Sequence, residues 1–396
     1  MNILFITAPS PPSRFHRIRA LNLIKYLSRS HDIHLVSLTR QPGRTGEELK
    51  PYCKTVQLVY QSSWRIIKNC LLSVGSHLPL EVAYCANPDM NRAVRAVLEQ
   101  HPIDLIYIKR LRSAPFVPPL TAVPTIVDTT DAMSLYYERA KDCVPWYIKS
   151  LFRHEWRAYQ KYEKQMLAQY SYWISCSPID TAYLQRRAPP ATRIQVVPNG
   201  VDAEYYAFDQ DAGNSRQLLL SGLMDKFVNV QAAKYFVRDI FPKIQLAIPD
   251  VRLMIVGPRP TPAVRRLATK DITVTGVVPD LRRFIRESAA VVCPVLTGAG
   301  TRNKILQAWS IGRPIITTPQ GLEGLDGIDG THVLVAGDAD TFAAKTVRLL
   351  QDRALRQQLV ENGRALVNER YTMDIITSQL NQIFKDTISD SAKKIT

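Results

Sequence analysis

The chain has no apolar run long enough to cross a membrane, no Cys-x-x-Cys pair, no short-period repeat and no low-complexity tract. Each absence removes a class. A spanning helix needs about 20 consecutive apolar residues, and the longest apolar runs here are strand-sized, such as Leu218-Leu219-Leu220. The six cysteines (Cys53, Cys70, Cys85, Cys143, Cys176 and Cys293) are scattered. That spacing points to core or incidental thiols in a reducing compartment, and away from structural zinc or a disulfide scaffold. The opening Met1-Asn2-Ile3-Leu4-Phe5-Ile6 has no basic stretch before its apolar run, and Pro9, Pro11 and Pro12 cut that run short. It is expected to be a first strand, not a secretory leader. No cluster of His, Cys and carboxylate at ligand spacing is read in the sequence, so no metal and no cofactor is expected.

What remains is an ordinary globular composition, with 46% hydrophobic and 22% charged residues over 396 positions. At roughly 150 residues per domain, two or three domains are expected. Charge is the distinctive bulk property. The chain carries 51 basic and 35 acidic residues, a net +16. Residues 1–200 hold 26 and 14 of these (+12), and residues 201–396 hold 25 and 21 (+4). A basic first half attracts phosphates, nucleic acid or anionic lipid headgroups. No helix-turn-helix, zinc-finger or RRM signature supports nucleic acid, which is not expected as a partner.

Short β-branched runs fall at 3–7, 33–39, 56–60, 105–109, 125–128 and 172–177. They resume at 217–222, 252–257, 272–276, 290–295, 314–318 and 333–337. Continuous apolar runs of about five residues suit strands buried on both faces, as in parallel sheets. Amphipathic helices lie between them, for example 18–28 with Ile18, Leu21, Ile24 and Leu27 on one face, and 230–244 and 339–351. Alternating strands and helices give an α/β chain of two Rossmann-like domains. The turn Pro198-Asn199-Gly200 and the polar stretch 209–215 mark the break. The expected division is 1–205 for an N-terminal domain, 206–375 for a C-terminal domain, and 376–396 for a final helix and polar tail. Two such domains are expected to face each other across a ligand-binding cleft.

The segment most charged with chemistry is Thr297-Gly298-Ala299-Gly300-Thr301-Arg302-Asn303-Lys304. A buried strand ends, a glycine-rich turn follows, and a helix is expected to open near Thr301. Helix N-termini bind phosphates through free N–H groups and a partial positive charge. Arg302 and Lys304 sit in that first turn, where basic side chains are unfavourable for the helix itself. A plain strand-to-helix turn with surface cations is the other reading.

The same segment carries a resemblance. Gly298 to Gln307, then Ala308-Trp309-Ser310-Ile311-Gly312-Arg313-Pro314 and Gly321-Leu322-Glu323-Gly324-Leu325, resembles the donor-site signature of GT-B glycosyltransferases, the large retaining "glycosyl transferases group 1" class. In particular it resembles sugar transferases of bacterial exopolysaccharide or exosortase-associated clusters. Ala8-Pro9-Ser10-Pro11-Pro12 with Arg17-Ile18-Arg19, Val127-Asp128-Thr129-Thr130-Asp131, Val196-Val197-Pro198-Asn199-Gly200, Asn229 and Ile255-Val256-Gly257 also fit, so the likeness spans nearly the whole chain. It implies a metal-independent hexosyl-type transferase. Such an enzyme passes a sugar from a nucleotide-diphospho-sugar to an acceptor hydroxyl with retention, in cell-surface polysaccharide or glycolipid synthesis. The resemblance places Gly298, Ala299, Gly300 and Thr301 at the diphosphate, with Arg302, Lys304 and Lys226 as its cations. It places Gln307 at the ribose and Glu323 near the nucleotide or sugar. The family's two glutamates read Ala299 and Gln307 here, and its expected arginine reads Leu223.

On the acceptor side, Asp128 and Asp131 end a strand, where ligands bind. They are the candidates to orient an acceptor hydroxyl or take its proton, with an N-cap as the other reading of Asp131. Arg17, Lys109 and Arg110 are the candidate acceptor-side cations, and His16 reads as solvated or structural. The stretch 62–72 mixes Trp64 with aliphatics and cations. It fits either a membrane interface or a connector helix packed on the sheet. A polysaccharide or lipid-linked acceptor, a peripheral contact with an anionic membrane and a cytoplasmic location are therefore expected. The alternatives are a GT-B-like nucleotide-sugar epimerase, or a nucleotide-sugar binding protein without turnover.

Overall fold

The computed structural model describes residues 1–8, 18–73, 75–118, 121–209 and 216–393. The proline-rich loop, His16 and Arg17, the stretch 210–215 and residues 394–396 lie outside them. Two compact units divide the chain: Met1–Pro198 with Ile376–Thr396, and Asn199–Ile375. They part at the Pro198-Asn199 turn, ahead of the 205/206 division read from the sequence. Residues from Ile376 belong with the first unit.

In the first unit the strands are β1 (Asn2–Thr7), β2 (Asp32–Thr39), β3 (Thr55–Tyr60), β4 (Leu105–Lys109), β5 (Thr125–Thr130), β6 (Tyr172–Ser175) and β7 (Arg193–Val196). They form one sheet in the order β3-β2-β1-β4-β5-β6-β7, and every pairing is parallel. In the second unit they are β8 (Gln217–Ser221), β9 (Arg252–Val256), β10 (Ile272–Gly276), β11 (Ala290–Cys293), β12 (Ile315–Thr317) and β13 (Leu334–Val335). Their order is β10-β9-β8-β11-β12-β13, again all parallel. The apolar runs form these strands because helices cover both faces: Ile3 to Ile6 and Leu218 to Leu220 are fully buried. Each unit is a doubly wound α/β domain. Strand order reverses between β1 and β4, and between β8 and β11. The carboxyl ends at those switch points are where open α/β sheets bind ligands.

Three elements depart from the sequence reading. β7 is an extra edge strand whose Arg-Ile-Gln-Val sequence is largely exposed, so no apolar run marks it. The single helix expected over 230–244 is instead Phe227–Tyr235, a π-helical stretch Phe236–Ile240, and Phe241–Ala247. Pro242 explains the interruption, since it has no N–H to give the preceding turn and its ring crowds that turn. The last helix, Met373–Lys393, continues through most of the expected polar tail. It is anchored by Phe384, whose ring centroid lies 5.8 Å from that of Tyr107. His31 Nε2 also lies 2.7 Å from Asn381 Oδ1, and Arg193 pairs with Asp390.

Candidate functional site

In the second unit, β11 leads into the turn 297–301 at the switch point beside β8. Gly298 (φ 123°) and Gly300 (φ 73°) take left-handed conformations that side chains resist. The Asn303–Ile311 helix follows, with Arg302 as a non-helical N-cap that makes no side-chain capping bond. The helix therefore opens two residues after Thr301, and its N-cap side chain accepts none of its first N–H groups. Ala299 and Thr301 are buried, and Thr301 Oγ1 accepts from Asn199 Nδ2 at 2.6 Å. Arg302 folds back so that Nη1 donates to Ala299 O at 2.8 Å, while its Nε is buried without a partner. Lys304 Nζ donates to Asn229 Oδ1 at 3.3 Å. Among the described residues no carboxylate pairs with either cation. Burial, and then the charge of Arg302, lower the Lys304 pKa, with Cys293 opposing.

The β8 loop joins this turn. Asn229, in the first turn of the Phe227–Tyr235 helix, donates from Nδ2 to Leu223 O at 3.0 Å while receiving Lys304. Gln231 on the same helix meets Thr297 Oγ1 at 3.2 Å. Lys226, the exposed N-cap residue, stands at the start of that helix. The loop after β9 approaches so closely that a Cβ on Gly257 would lie 1.8 Å from Gly222 O. From β12, the short Pro319–Leu322 helix sends Gln320 Nε2 to Gly298 O at 3.4 Å, and the half-buried Glu323 ends it. Arg302 and Lys304 thus lie at one glycine-rich turn, with Lys226 at the start of the helix whose Asn229 receives Lys304. Gln307 lies further along and donates from Nε2 to the hydroxyl of buried Tyr206 at 2.9 Å. That partner carries no motif in the sequence.

The first unit corrects one expectation. Asp128 is fully buried and both its oxygens are occupied. Oδ2 accepts from Tyr107 (2.5 Å), Lys109 (2.7 Å) and Arg19 (3.3 Å). Oδ1 accepts from the Thr130 N–H at 2.9 Å and hydroxyl at 3.2 Å. Burial alone would raise its pKa, but Lys109 and Arg19 hold it well below the ordinary carboxylate range. Burial brings Lys109 down to about 7 against the pull of Asp128. Arg19 continues to Pro198 O (2.6 Å) and Val197 O (2.9 Å). Asp128 and Lys109 are therefore the centre of a buried ion cluster tying four segments together, not groups open to solvent. Tyr107 and Arg19 complete that cluster; only an apolar strand period hinted at the first.

Asp131 and Arg110 are different. They pair at 3.1 Å, both partly exposed, at the carboxyl ends of β5 and β4. Arg110 (φ 71°) and Thr130 (φ 67°) hold backbone conformations uncommon for non-glycine residues at these same ends. Asp131 is not an N-cap: the Met133–Ala140 helix has Ala132 there. Two carboxylates from other helices cap its start instead. Asp180 accepts from Ala132 N at 2.7 Å and Glu163 from Ser134 N at 3.0 Å.

Burial pushes the Glu163 carboxyl up to about 7, with the Ser134 bonds opposing. A raised folded-state pKa adds stability that is complete below the unfolded value and disappears as pH rises through the folded one. The melting temperature should thus fall between about pH 4.5 and about pH 7 through this group. Glu163→Gln should flatten that decline and melt above the wild type at alkaline pH, as read by thermal melts across pH.

These geometries define a two-Rossmann α/β protein with a glycine-rich, cation-flanked turn at the switch point of its second sheet. Residues 215–352 match the family model of glycosyl transferases group 1, and residues 17–205 match that of glycosyltransferase family 4. Together these two glycosyltransferase models span most of the chain, and its second half is that of a group 1 glycosyltransferase. It is 27% identical over 218 residues to the phosphatidyl-myo-inositol mannosyltransferase of Mycobacterium tuberculosis, covering 50% of this chain and 55% of that one. The same figures hold for the Mycobacterium bovis protein. The chain thus spans about half the length of the curated relatives it matches. Among solved structures it resembles sucrose-phosphate synthase from Thermosynechococcus elongatus, with a TM-score of 0.75, 17% identity and coverage of 98% and 99% of the two chains. It also resembles Anabaena HepE in complex with UDP-glucose, with a TM-score of 0.69, 14% identity and coverage of 98% and 100%. At such identities these likenesses establish the GT-B fold. No helix among the described residues is long and apolar enough to cross a membrane.

Proposed function

We propose that the protein transfers a hexosyl unit from a nucleotide-diphospho-sugar to an acceptor hydroxyl with retention of configuration, in bacterial cell-surface polysaccharide or glycolipid synthesis. The carrying observation is the pair Arg302 and Lys304, without carboxylate partners among the described residues, at a helix start that follows a left-handed glycine turn. Unpaired cations in that position oppose the helix dipole, and a diphosphate resolves the conflict. As the bond from the sugar's anomeric carbon to the diphosphate oxygen breaks, negative charge grows on the leaving group. Fixed N–H groups and the two cations, with Lys226 beside them, stabilise that charge. The acceptor oxygen attacks from the face the diphosphate leaves, and its proton passes to the departing phosphate oxygen. These cations do the neutralising, so the reaction needs no divalent metal, and chelation should leave the rate unchanged. HepE's UDP-glucose complex supports a UDP-sugar as the first donor to try.

The acceptor is polysaccharide or lipid-linked, met by the first unit, with Asp131 and Arg110 orienting its hydroxyl. The mannosyltransferase relatives, whose name carries a phosphatidyl-inositol lipid, favour the lipid form. The protein works at the cytoplasmic face of a membrane, touching anionic lipid peripherally through the Ser63–Ser73 helix. Calorimetric titration with UDP-, GDP-, ADP- and dTDP-sugars, followed by nucleoside-diphosphate release with and without acceptor, tests the reading. Binding without acceptor-dependent release would leave a binding protein, and release of an epimerised donor would make it an epimerase. Gln307→Glu should keep or strengthen donor binding, since a carboxylate accepts ribose hydroxyls more strongly and can still receive the Tyr206 hydroxyl. A calorimetric loss would remove Gln307 from the ribose.

A further inference from the structure

We propose that the first two turns of the Trp146–Gln169 helix form, together with the outer face of the Ser63–Ser73 helix, a two-point seat on an anionic lipid surface. This extends the lipid-borne acceptor of the proposed function and, for its purpose, rests on that reading. Trp64, Ile67 and Leu71 recur at helical spacing with Leu72 beside them, and they are 74%, 51%, 67% and 72% exposed. Ile66, on the opposite side, is buried and holds the helix to the domain. The second point is the start of the long helix. Trp146 is 85%, Tyr147 67% and Leu151 43% exposed. Seven of the fifteen exposed large apolar side chains among the described residues thus sit on two short stretches, so the exposure is not scattered.

Both stretches are fixed to one scaffold. The Leu80–Cys85 helix packs against Ser63–Ser73. It is also bonded to the long helix, with Leu80 N donating to Glu155 at 3.2 Å and the Tyr159 hydroxyl to Glu81 at 2.9 Å. The tip itself is held outward. Lys141 Nζ sits 3.8 Å from the Trp156 ring centroid, and Lys149 and Arg153 share Asp142 at 3.3 and 3.5 Å. Pro145 precedes the helix, whose first turn carries no acid. Trp and Tyr at a helix end suit a layer that is apolar below and wet above.

Charge selects the occupant. Exposed Lys68 and Arg157 have no carboxylate partner among the described residues. At the base of the first helix, Arg40 donates to two hydroxyls, Tyr84 at 2.8 Å and Ser63 at 3.1 Å, and has no carboxylate partner among the described residues. With +12 on residues 1–200, a second copy of this chain would be repelled, whereas anionic headgroups are attracted.

Co-sedimentation with vesicles of phosphatidylcholine containing about 30% phosphatidylglycerol tests this, with pure phosphatidylcholine as the control. Wild type should bind the anionic vesicles and not the neutral ones. Trp64→Ser and Trp146→Ser should each lower partitioning about tenfold, and the double variant about a hundredfold, because anchors on one rigid body multiply. Donor binding by calorimetry should stay at the wild-type level in all three, so a failed seat is told apart from a failed donor site. Unchanged partitioning of Trp146→Ser, or a wild-type dimer in sedimentation that Trp146→Ser dissolves, overturns the proposal.

Discussion

Asp128→Ala is expected to lower the melting temperature of the first unit by about 10 °C, reflecting roughly 3–5 kcal/mol for uncoupling a buried ion cluster. The reason lies in what the carboxylate leaves behind. Lys109, at the carboxyl end of β4, and Arg19, in the Ile18–Leu27 helix, are both buried, and each donates to Asp128 Oδ2. Without it Lys109 keeps only the Thr130 hydroxyl, at 2.7 Å. Arg19 keeps its two carbonyl bonds at 197–198 but loses its counter-charge. Lys109 can escape by deprotonation, since burial already brings it down to about 7. Arg19 cannot, so water must enter or the helix must move. Asp128→Asn keeps an acceptor and removes the charge, and should fall between the two. A catalytic base predicts the opposite pattern: an Asn variant that melts like wild type yet turns over no substrate. Thermal melts alongside acceptor-dependent turnover separate the two roles.

The Asp128 case marks where reading the sequence stops. The parallel sheets were legible because strands buried on both faces must be apolar throughout, and twelve such runs all became strands. The edge strand Arg193–Val196 was not, because an exposed strand carries no such constraint. The turn at Gly298 to Lys304 was legible because two local rules collide there: glycines where a chain needs left-handed φ, and cations where a helix disfavours them. Asp128 obeyed one rule only, a carboxylate at a strand's carboxyl end, and that rule fits a ligand site and an internal salt bridge equally. What decided was Tyr107, Lys109 and Arg19 converging from β4 and the Ile18–Leu27 helix, a long-range fact with no local trace. Tyr206 was hidden for the same reason, as was the bond that ties Asn229 to Lys304, since the partners lie far apart in sequence.

Arg302→Ala and Lys304→Ala should each weaken nucleotide-sugar binding by about 1–3 kcal/mol, roughly 5- to 150-fold in calorimetric Kd, while leaving the fold intact. The sign on stability is the discriminating part. No carboxylate among the described residues pairs with either side chain, and both sit where the helix dipole repels them. Removing one should hold or slightly raise the melting temperature. Arg302→Ala loses the bond to Ala299 O, so its gain should be the smaller. A residue present for packing would show the reverse, a lower melting temperature with unchanged affinity. Lys304 adds a pH signature. Burial and Arg302 lower its pKa in the free protein, and a diphosphate beside it must raise that value again. Donor binding should therefore take up a proton and weaken as pH climbs past the free-protein value. Lys304→Arg keeps its charge at every accessible pH, so it should flatten that decline even if its longer side chain binds less tightly at neutral pH. A decline that is the same in Lys304→Arg as in wild type would remove Lys304 from the phosphate and leave the turn to Arg302 and the backbone alone.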